Sequence, residues 1–196
     1  MSEATLERLR SRAMARGIPI VSQSCARFLE QMVKLSRIDV LVEAGSAIGY
    51  SALRVALHTP DLKIVGYEKQ AKLAEEATRH AGQFKVADRV RFVAQPAESA
   101  ALPLPEGPIG GLFIDAAKAS YLNIFETFEP YLAPGAFVLA DNASFKGLDP
   151  ERAAPRHRRL IERMQQFNER LLARPGYDVA RYDIGDGLLL AIKVED

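Results

Sequence analysis

Acidic and amide side chains recur in this sequence where a short apolar run ends. Glu43 closes Val40-Leu41-Val42, Glu68 closes Ile64 to Tyr67, Asp115 closes Leu112-Phe113-Ile114, and Asp141-Asn142 close Ala136 to Ala140. Oxygen donors of this kind accept hydrogen bonds from hydroxyl groups or ligate a hard cation. Asp and Asn after a strand also start turns, so spacing alone leaves both readings open. Just past Glu43 comes a turn of small residues, Ala44-Gly45-Ser46-Ala47-Ile48-Gly49, which leads into Tyr50-Ser51. Glycines there let a ligand approach the backbone over the positive end of the following helix, as a nucleotide-like cofactor would; a plain strand-to-helix connection is the alternative. Glu68 lies roughly twenty residues beyond that turn, a spacing that suits an acceptor for ribose hydroxyls. As the first residue of a helix, it would instead be favoured by the helix dipole.

The elements that must carry these residues alternate strand and helix. The first strand is followed by helical spacing over Tyr50 to Leu57. The strand over 62–68 is followed by an amphipathic helix from about Lys69 to Ala81, and a third strand spans Val90 to Ala94. A fourth strand ends at Asp115, a helix runs from about Ser120 to Leu132, Pro134-Gly135 stops it, and Ala136 to Ala140 form a fifth strand. Tyr177 to Asp183 and Leu188 to Val194, joined by Ile184-Gly185-Asp186-Gly187, read as a hairpin. The expected fold is α/β: a Rossmann-like, doubly wound sheet, mostly parallel, of about seven strands, with a C-terminal antiparallel hairpin. In such sheets ligands bind at the carboxyl ends of the strands, where Glu43, Glu68, Asp115, Asp141 and Asn142 stand.

Residues 1–37 read as a helical cap on a core of 38–196, the whole forming one domain over 1–196. Leu6, Leu9 and Met14, then Phe28, Leu29, Met32 and Leu35, supply its apolar spacing, interrupted at Gly17-Ile18-Pro19-Ile20. Residues 153–173 form a late helix with Leu160, Met164, Phe167 and Leu171 as a core stripe. Arg152, Arg156, Arg158, Arg159, Arg163, Arg170 and Arg174 make its surroundings basic.

Among the 196 residues 48% are hydrophobic and 26% charged, which suits one soluble domain with a substantial core. The formal charge of +1 does not mark a polyanion-seeking protein, so any such contact must come from local arginine clusters. The single cysteine, Cys25, excludes an internal disulfide framework and reads as a packed core thiol in a reducing compartment. No apolar run approaches membrane-spanning length and the N-terminus lacks a signal-peptide pattern, so a cytoplasmic location and no membrane partner are expected.

Several ordered motifs carry a resemblance. Val42-Glu43-Ala44-Gly45-Ser46-Ala47-Ile48-Gly49-Tyr50-Ser51, Phe113-Ile114-Asp115-Ala116-Ala117-Lys118 with Tyr121, Ala140-Asp141-Asn142, and Ile184-Gly185-Asp186-Gly187-Leu188 resemble those of the cation-dependent O-methyltransferases related to catechol O-methyltransferase. These belong to the class I S-adenosylmethionine-dependent methyltransferases. The wording is most similar to bacterial enzymes that methylate 5-hydroxyuridine of tRNA, and the likeness spans about residues 18–193. The chain departs from the pattern at Glu43-Ala44-Gly45-Ser46, where Glu-Ile-Gly-Thr is usual, at Gln95-Pro96-Ala97, and at Ala143-Ser144-Phe145, where an apolar pair is common.

The resemblance implies S-adenosylmethionine bound by Glu43, Gly45, Ser46, Gly49, Ser51, Glu68, Ala97 and Asp115. It implies a divalent cation, Mg with Mn or Ca as alternatives, on Asp115, Asp141 and Asn142. Lys118 and Asp115 would then be the catalytic pair, with Lys118 as general base or as the cation facing an oxyanion. The acceptor is a hydroxyl group, on 5-hydroxyuridine of tRNA or on a small catechol-like metabolite, and related enzymes make a homodimer an expectation. Two other classes compete. A nicotinamide oxidoreductase would need Gly-x-Gly-x-x-Gly after the first strand, which the chain lacks. A non-catalytic nucleoside- or RNA-binding module would need the fold alone.

Overall fold

The computed structural model describes residues 3–143 and 154–194, without the side chains of residues 155–157. Val40–Ala44 forms β1, buried at every position, and lies at the middle of a seven-stranded sheet of order β3-β2-β1-β4-β5-β7-β6. The other strands are β2 (Lys63–Tyr67), β3 (Val90–Val93), β4 (Ile109–Ile114), β5 (Leu132–Ala140), β6 (Tyr177–Tyr182) and β7 (Leu188–Lys193). The first five run parallel; β7 inserts antiparallel between β5 and β6. The expected mostly parallel sheet, terminal hairpin and helical cap are therefore all present.

Among the described residues six helices cover the sheet: α1 (Glu3–Ala15), α2 (Gln23–Ser36), α3 (Tyr50–His58), α4 (Ala71–Gln83), α5 (Tyr121–Phe128) and α6 (Pro155–Leu172). Strand alternation divides the core in two. Leu41, Phe113, Phe137 and Leu139 pack under α1, α2 and α3, whereas Val42, Leu112, Ile114 and Val138 pack under α5 and α6. Glu43, two residues from Leu41, consequently points toward the cap side and is fully buried.

Two local expectations change. Helix α5 stops at Phe128, because Pro130 sets a short 3-10 turn over Glu129–Tyr131, and β5 already begins at Leu132. Pro134 and Gly135 thus lie inside the strand instead of before it. The β4–β5 register shifts between Ile109 and Gly111, and Gly135 takes a positive φ of 77° there, so the extra residues bulge out of the ladder. In the cap, Met14 and Leu35 are 54% and 79% exposed; Ala13 and Val33 fill the inward positions.

Along α6 the inward face is Ile161, Met164, Phe167, Asn168 and Leu171, with Leu160 only half-buried. The cap is tied down by polar contacts. Arg16 makes two hydrogen bonds to Glu76 of α4, at 2.5 and 2.9 Å. Arg54 of α3, almost fully buried, pairs with Glu3 at 2.7 Å and Glu30 at 3.2 Å.

Candidate active site

Strands β1 and β4 end side by side, and the chain leaves them through backbone bonds that shape the turn. Gly45 and Ser46 donate to the Tyr67 carbonyl at 2.8 and 3.1 Å, and Asp115 N–H donates to the Ala44 carbonyl at 2.9 Å. Gly45 has φ +95°, and a Cβ there would lie 2.3 Å from the Asp115 carbonyl oxygen. No other residue type fits. Gly49, the N-cap of α3, has φ +85°, and a Cβ there would lie 2.7 Å from the Phe92 ring, so it shapes the turn from behind and does not line the cleft.

A cleft of about 390 Å³ opens over these strand ends. Of the residues expected there, Gly45, Glu68, Ala97, Asp115, Lys118 and Asn142 line it, together with Tyr67, Gln70, Leu73, Glu98 and Ser120. Ser46 and Ser51 line a narrow recess beside it, under Pro19, Ile20 and Val21 of the α1–α2 link. A wider groove of about 750 Å³ lies between α5 and α6, but its Glu129 and Arg174 side chains satisfy each other at 2.7 Å and no strand end opens into it.

Glu68 is held from both sides. Its Oε2 accepts the Ala47 N–H at 3.0 Å and its Oε1 the Gln70 N–H at 2.9 Å. A carboxylate fixed by two amides still has lone pairs for hydroxyl donors. Glu43 lies beneath, accepting a hydrogen bond from Ser51, with its second oxygen unpartnered. Burial pushes its carboxyl up to about 7, and the Glu68 charge adds to the shift while Ser51 opposes it.

On the other side of the cleft, burial and then the Asp141 and Glu43 charges hold the Asp115 carboxyl well above the usual range, with Lys118 opposing. Burial also raises Asp141, which the Asn142 amide and the Cys25 thiol partly offset. Asp141 is 4% exposed and stands just behind the cleft wall; its Oδ1 accepts the Asn142 N–H at 2.8 Å. Asn142 adopts the left-handed conformation, φ +54°. Lys118 opens a short 3-10 turn, Lys118–Ser120, pinned by a 2.6 Å bond from Ser120 to Glu98.

Among the described residues no three His, Cys, Asp or Glu side chains gather as a metal cage. Two carboxylates and an amide are the donors present. Ser144, Phe145, residues 147–150, Glu151 and Arg152 lie outside the described residues, as does the Arg156 side chain, so the expectations placed on them gain no geometry. Sequence reasoning did not bring Pro19, Gln70 or Glu98 to the site. Pro19 carried a signal only as a helix break; what the break covers is a matter of packing.

No helix among the described residues is long and apolar enough to cross a membrane. A family model described as O-methyltransferase matches residues 2–194. The tapetum-specific methyltransferase 1 of Arabidopsis thaliana is 28% identical over 97% of this chain and 83% of its own length. The caffeoyl-CoA O-methyltransferase of Eucalyptus gunnii is 27% identical over 86% of this chain and 72% of its length. Among solved structures, a protein of Staphylococcus aureus provisionally identified as a caffeoyl-CoA O-methyltransferase superposes with a TM-score of 0.90 at 27% identity, covering 98% of this chain and 93% of that one. With the strand-end cleft and the match over nearly the whole sequence together, the chain belongs to the O-methyltransferase family and is an S-adenosylmethionine-dependent enzyme.

Proposed function

We propose that the protein methylates a hydroxyl oxygen that stands beside a second oxygen on its acceptor, with a divalent cation at the acceptor end of the cleft. The observation that carries this is the pair Asp115 and Asp141, two carboxyls buried close enough for the charge of Asp141 to raise Asp115. Buried like charges are costly unless a cation offsets them. Hard oxygen donors that leave positions for water and substrate suit Mg²⁺, which is commonly held by one or two carboxylates; Asn142 would add its amide oxygen. When bound, such a cation supplies a Lewis acid that lowers the pKa of a hydroxyl.

When bound, S-adenosylmethionine would supply the methyl group for transfer to the acceptor oxygen. Glu68, preset by the Ala47 and Gln70 amides, would accept the ribose hydroxyls, with Gly45 giving the backbone approach and Ala97 flanking the base. Glu43 and Ser51 would form the floor under the charged end, with Ser46 beside them. Asp115 lines both the main cleft and the recess, so it would face cofactor and acceptor together. Lys118 would take the acceptor's proton or stand opposite the oxyanion, and the Glu98–Ser120 bond keeps its turn in place.

The first acceptor reading is a small vicinal hydroxyl compound, supported by the caffeoyl-CoA and flavonoid activities in the names of relatives. A second, 5-hydroxyuridine of tRNA, also presents a hydroxyl beside an oxygen. It is favoured by α6, whose Arg163 reaches the Ala119 carbonyl at 3.4 Å and so brings a basic helix beside the Lys118 turn. Methyl transfer should be assayed on a catechol panel and on tRNA, with mass spectrometry of the products, with and without EDTA. Transfer to a vicinal hydroxyl that chelation abolishes supports the proposal; full activity in EDTA would overturn the cation. A subunit pairing of two copies is carried over from the sequence expectation and is tested by light scattering.

A further inference from the structure

Helix α6 buries Ile161, Met164, Phe167 and Leu171, and among them one amide, Asn168, only 6% exposed. A polar group in an apolar row costs stability unless it is bonded, and a leucine would serve packing better there. Its Nδ2 donates to the Ala143 carbonyl at 2.8 Å, and only the NH₂ end of the amide can do so. Ala143 follows Asp141 and Asn142 directly, beyond the last ladder position of β5 at Ala140. Its N–H donates to the Gly187 carbonyl at 2.9 Å, while the Tyr121 hydroxyl donates to the Asp141 carbonyl at 3.0 Å. The Tyr121 ring meets Phe167, the neighbour of Asn168, edge-on at 5.5 Å. The turn is therefore fastened from α5, from the β6–β7 turn and from α6. Asn142 at its centre sits at φ +54°, the left-handed region that asparagine tolerates better than most non-glycine residues.

We infer that Asn168 is a positioning residue for the reaction: by holding the Ala143 carbonyl it fixes the Asp141–Asn142 turn in the shape that meets the acceptor and its cation. This rests on the proposed role of Asp141 and Asn142. Asn168 touches neither the cofactor cleft nor the acceptor, so its loss should separate the two.

The test uses the full chain with Asn168→Leu, Asn168→Ala and Asp141→Ala. In the Asn168→Leu protein, S-adenosylmethionine affinity by calorimetry should stay within about twofold. The kcat should fall and the Mn²⁺ affinity, measured calorimetrically without substrate, should weaken, each by about ten- to a hundredfold, the range for residues that orient metal ligands. Amide exchange at Asn142 and Ala143 should accelerate while the sheet stays protected. A folded Asn168→Leu protein with unchanged kcat and Mn²⁺ affinity, beside an inactive Asp141→Ala, would overturn the clamp alone. An active Asp141→Ala would overturn the role of the turn and the clamp with it. If Asn168→Leu does not fold, Asn168→Ala carries the same measurements. Failure of both to fold, or equal loss of cofactor and cation affinity, assigns Asn168 to the scaffold and overturns the inference.

Discussion

The two ends of the cleft are built on opposite principles. At the cofactor end, Glu68 has each oxygen on a backbone amide, and the Gly45 and Ser46 amides are spent on the Tyr67 carbonyl. Glu68 is thus set in place by the protein itself, while Glu43 Oε2 and the Ser46 hydroxyl beneath it have no hydrogen-bond partner. At the acceptor end, Asp115 and Asp141 are buried near one another, with Lys118 as the cation that opposes their shifts. Glu68 is therefore preset by backbone amides, whereas the acceptor end gathers buried carboxyls whose ionised form a bound cation would favour. Preorganisation suits a group that stays the same from one turnover to the next, and the buried carboxyls suit the divalent cation proposed for the acceptor end.

If that contrast is right, damage at the acceptor end should remove turnover and spare cofactor binding. Asp141→Ala is expected to lower kcat on the order of 10²–10³-fold, as loss of a charge-stabilising group does, with S-adenosylmethionine affinity by calorimetry nearly unchanged. A large loss of cofactor affinity would break the comparison. Lys118→Ala should come next, with about a 10²-fold fall in kcat and little change in fold or cofactor affinity; unchanged turnover would remove its role.

Damage at the cofactor end should show the reverse. Glu68→Ala strands the Ala47 and Gln70 amides and should weaken cofactor affinity about ten- to a hundredfold, the cost of lost hydrogen bonds to a charged group. Its kcat at saturating cofactor should change only a few-fold. A Glu68→Gln protein, which keeps an acceptor, should lie between.

The last effect, on stability and not on turnover, belongs to Glu43, beneath both ends. Its carboxyl rises from an ordinary 4.5 to about 7 in the fold, so the folded protein holds a proton that the unfolded chain has released. The stabilising contribution is present below about pH 4.5 and is lost as pH rises through about 7. Each tenfold gain in proton affinity is worth about 1.4 kcal/mol, so the contribution is roughly 3 kcal/mol at most. Urea unfolding of wild type and Glu43→Gln across pH 5 to 8 checks it: the difference between the two curves should change by that amount. Parallel curves would deny the buried titration.

Much of the fold was legible because local patterns fixed it. Val40 to Val42 read as a buried strand beside a glycine turn, and β2, β4 and β5 each run into the acid that marks their carboxyl edge: Glu68, Asp115 and Asp141. Boundaries failed where tertiary pairing overruled a local rule: Pro134-Gly135 reads as a helix stop, yet β5 absorbs both residues as a bulge against β4. The apolar spacing of α6 named Leu160 where packing selects Ile161, while Met164, Phe167 and Leu171 face inward as expected and Asn168 joins them.

The sequence by itself determined the glycine turn after β1 and the order of the acids at the strand ends, since strand period, glycine placement and the distance to Glu68 are properties of neighbouring residues. Only the tertiary structure decided what surrounds the acids. Cys25 beside Asp141, Pro19 over the recess and Asn168 on Ala143 come from parts of the chain far from the strands they serve. No local pattern records such meetings, because they depend on how helices seat on a sheet. Those meetings set the burial and the hydrogen bonds that make Asp115 and Asp141 different from ordinary surface acids.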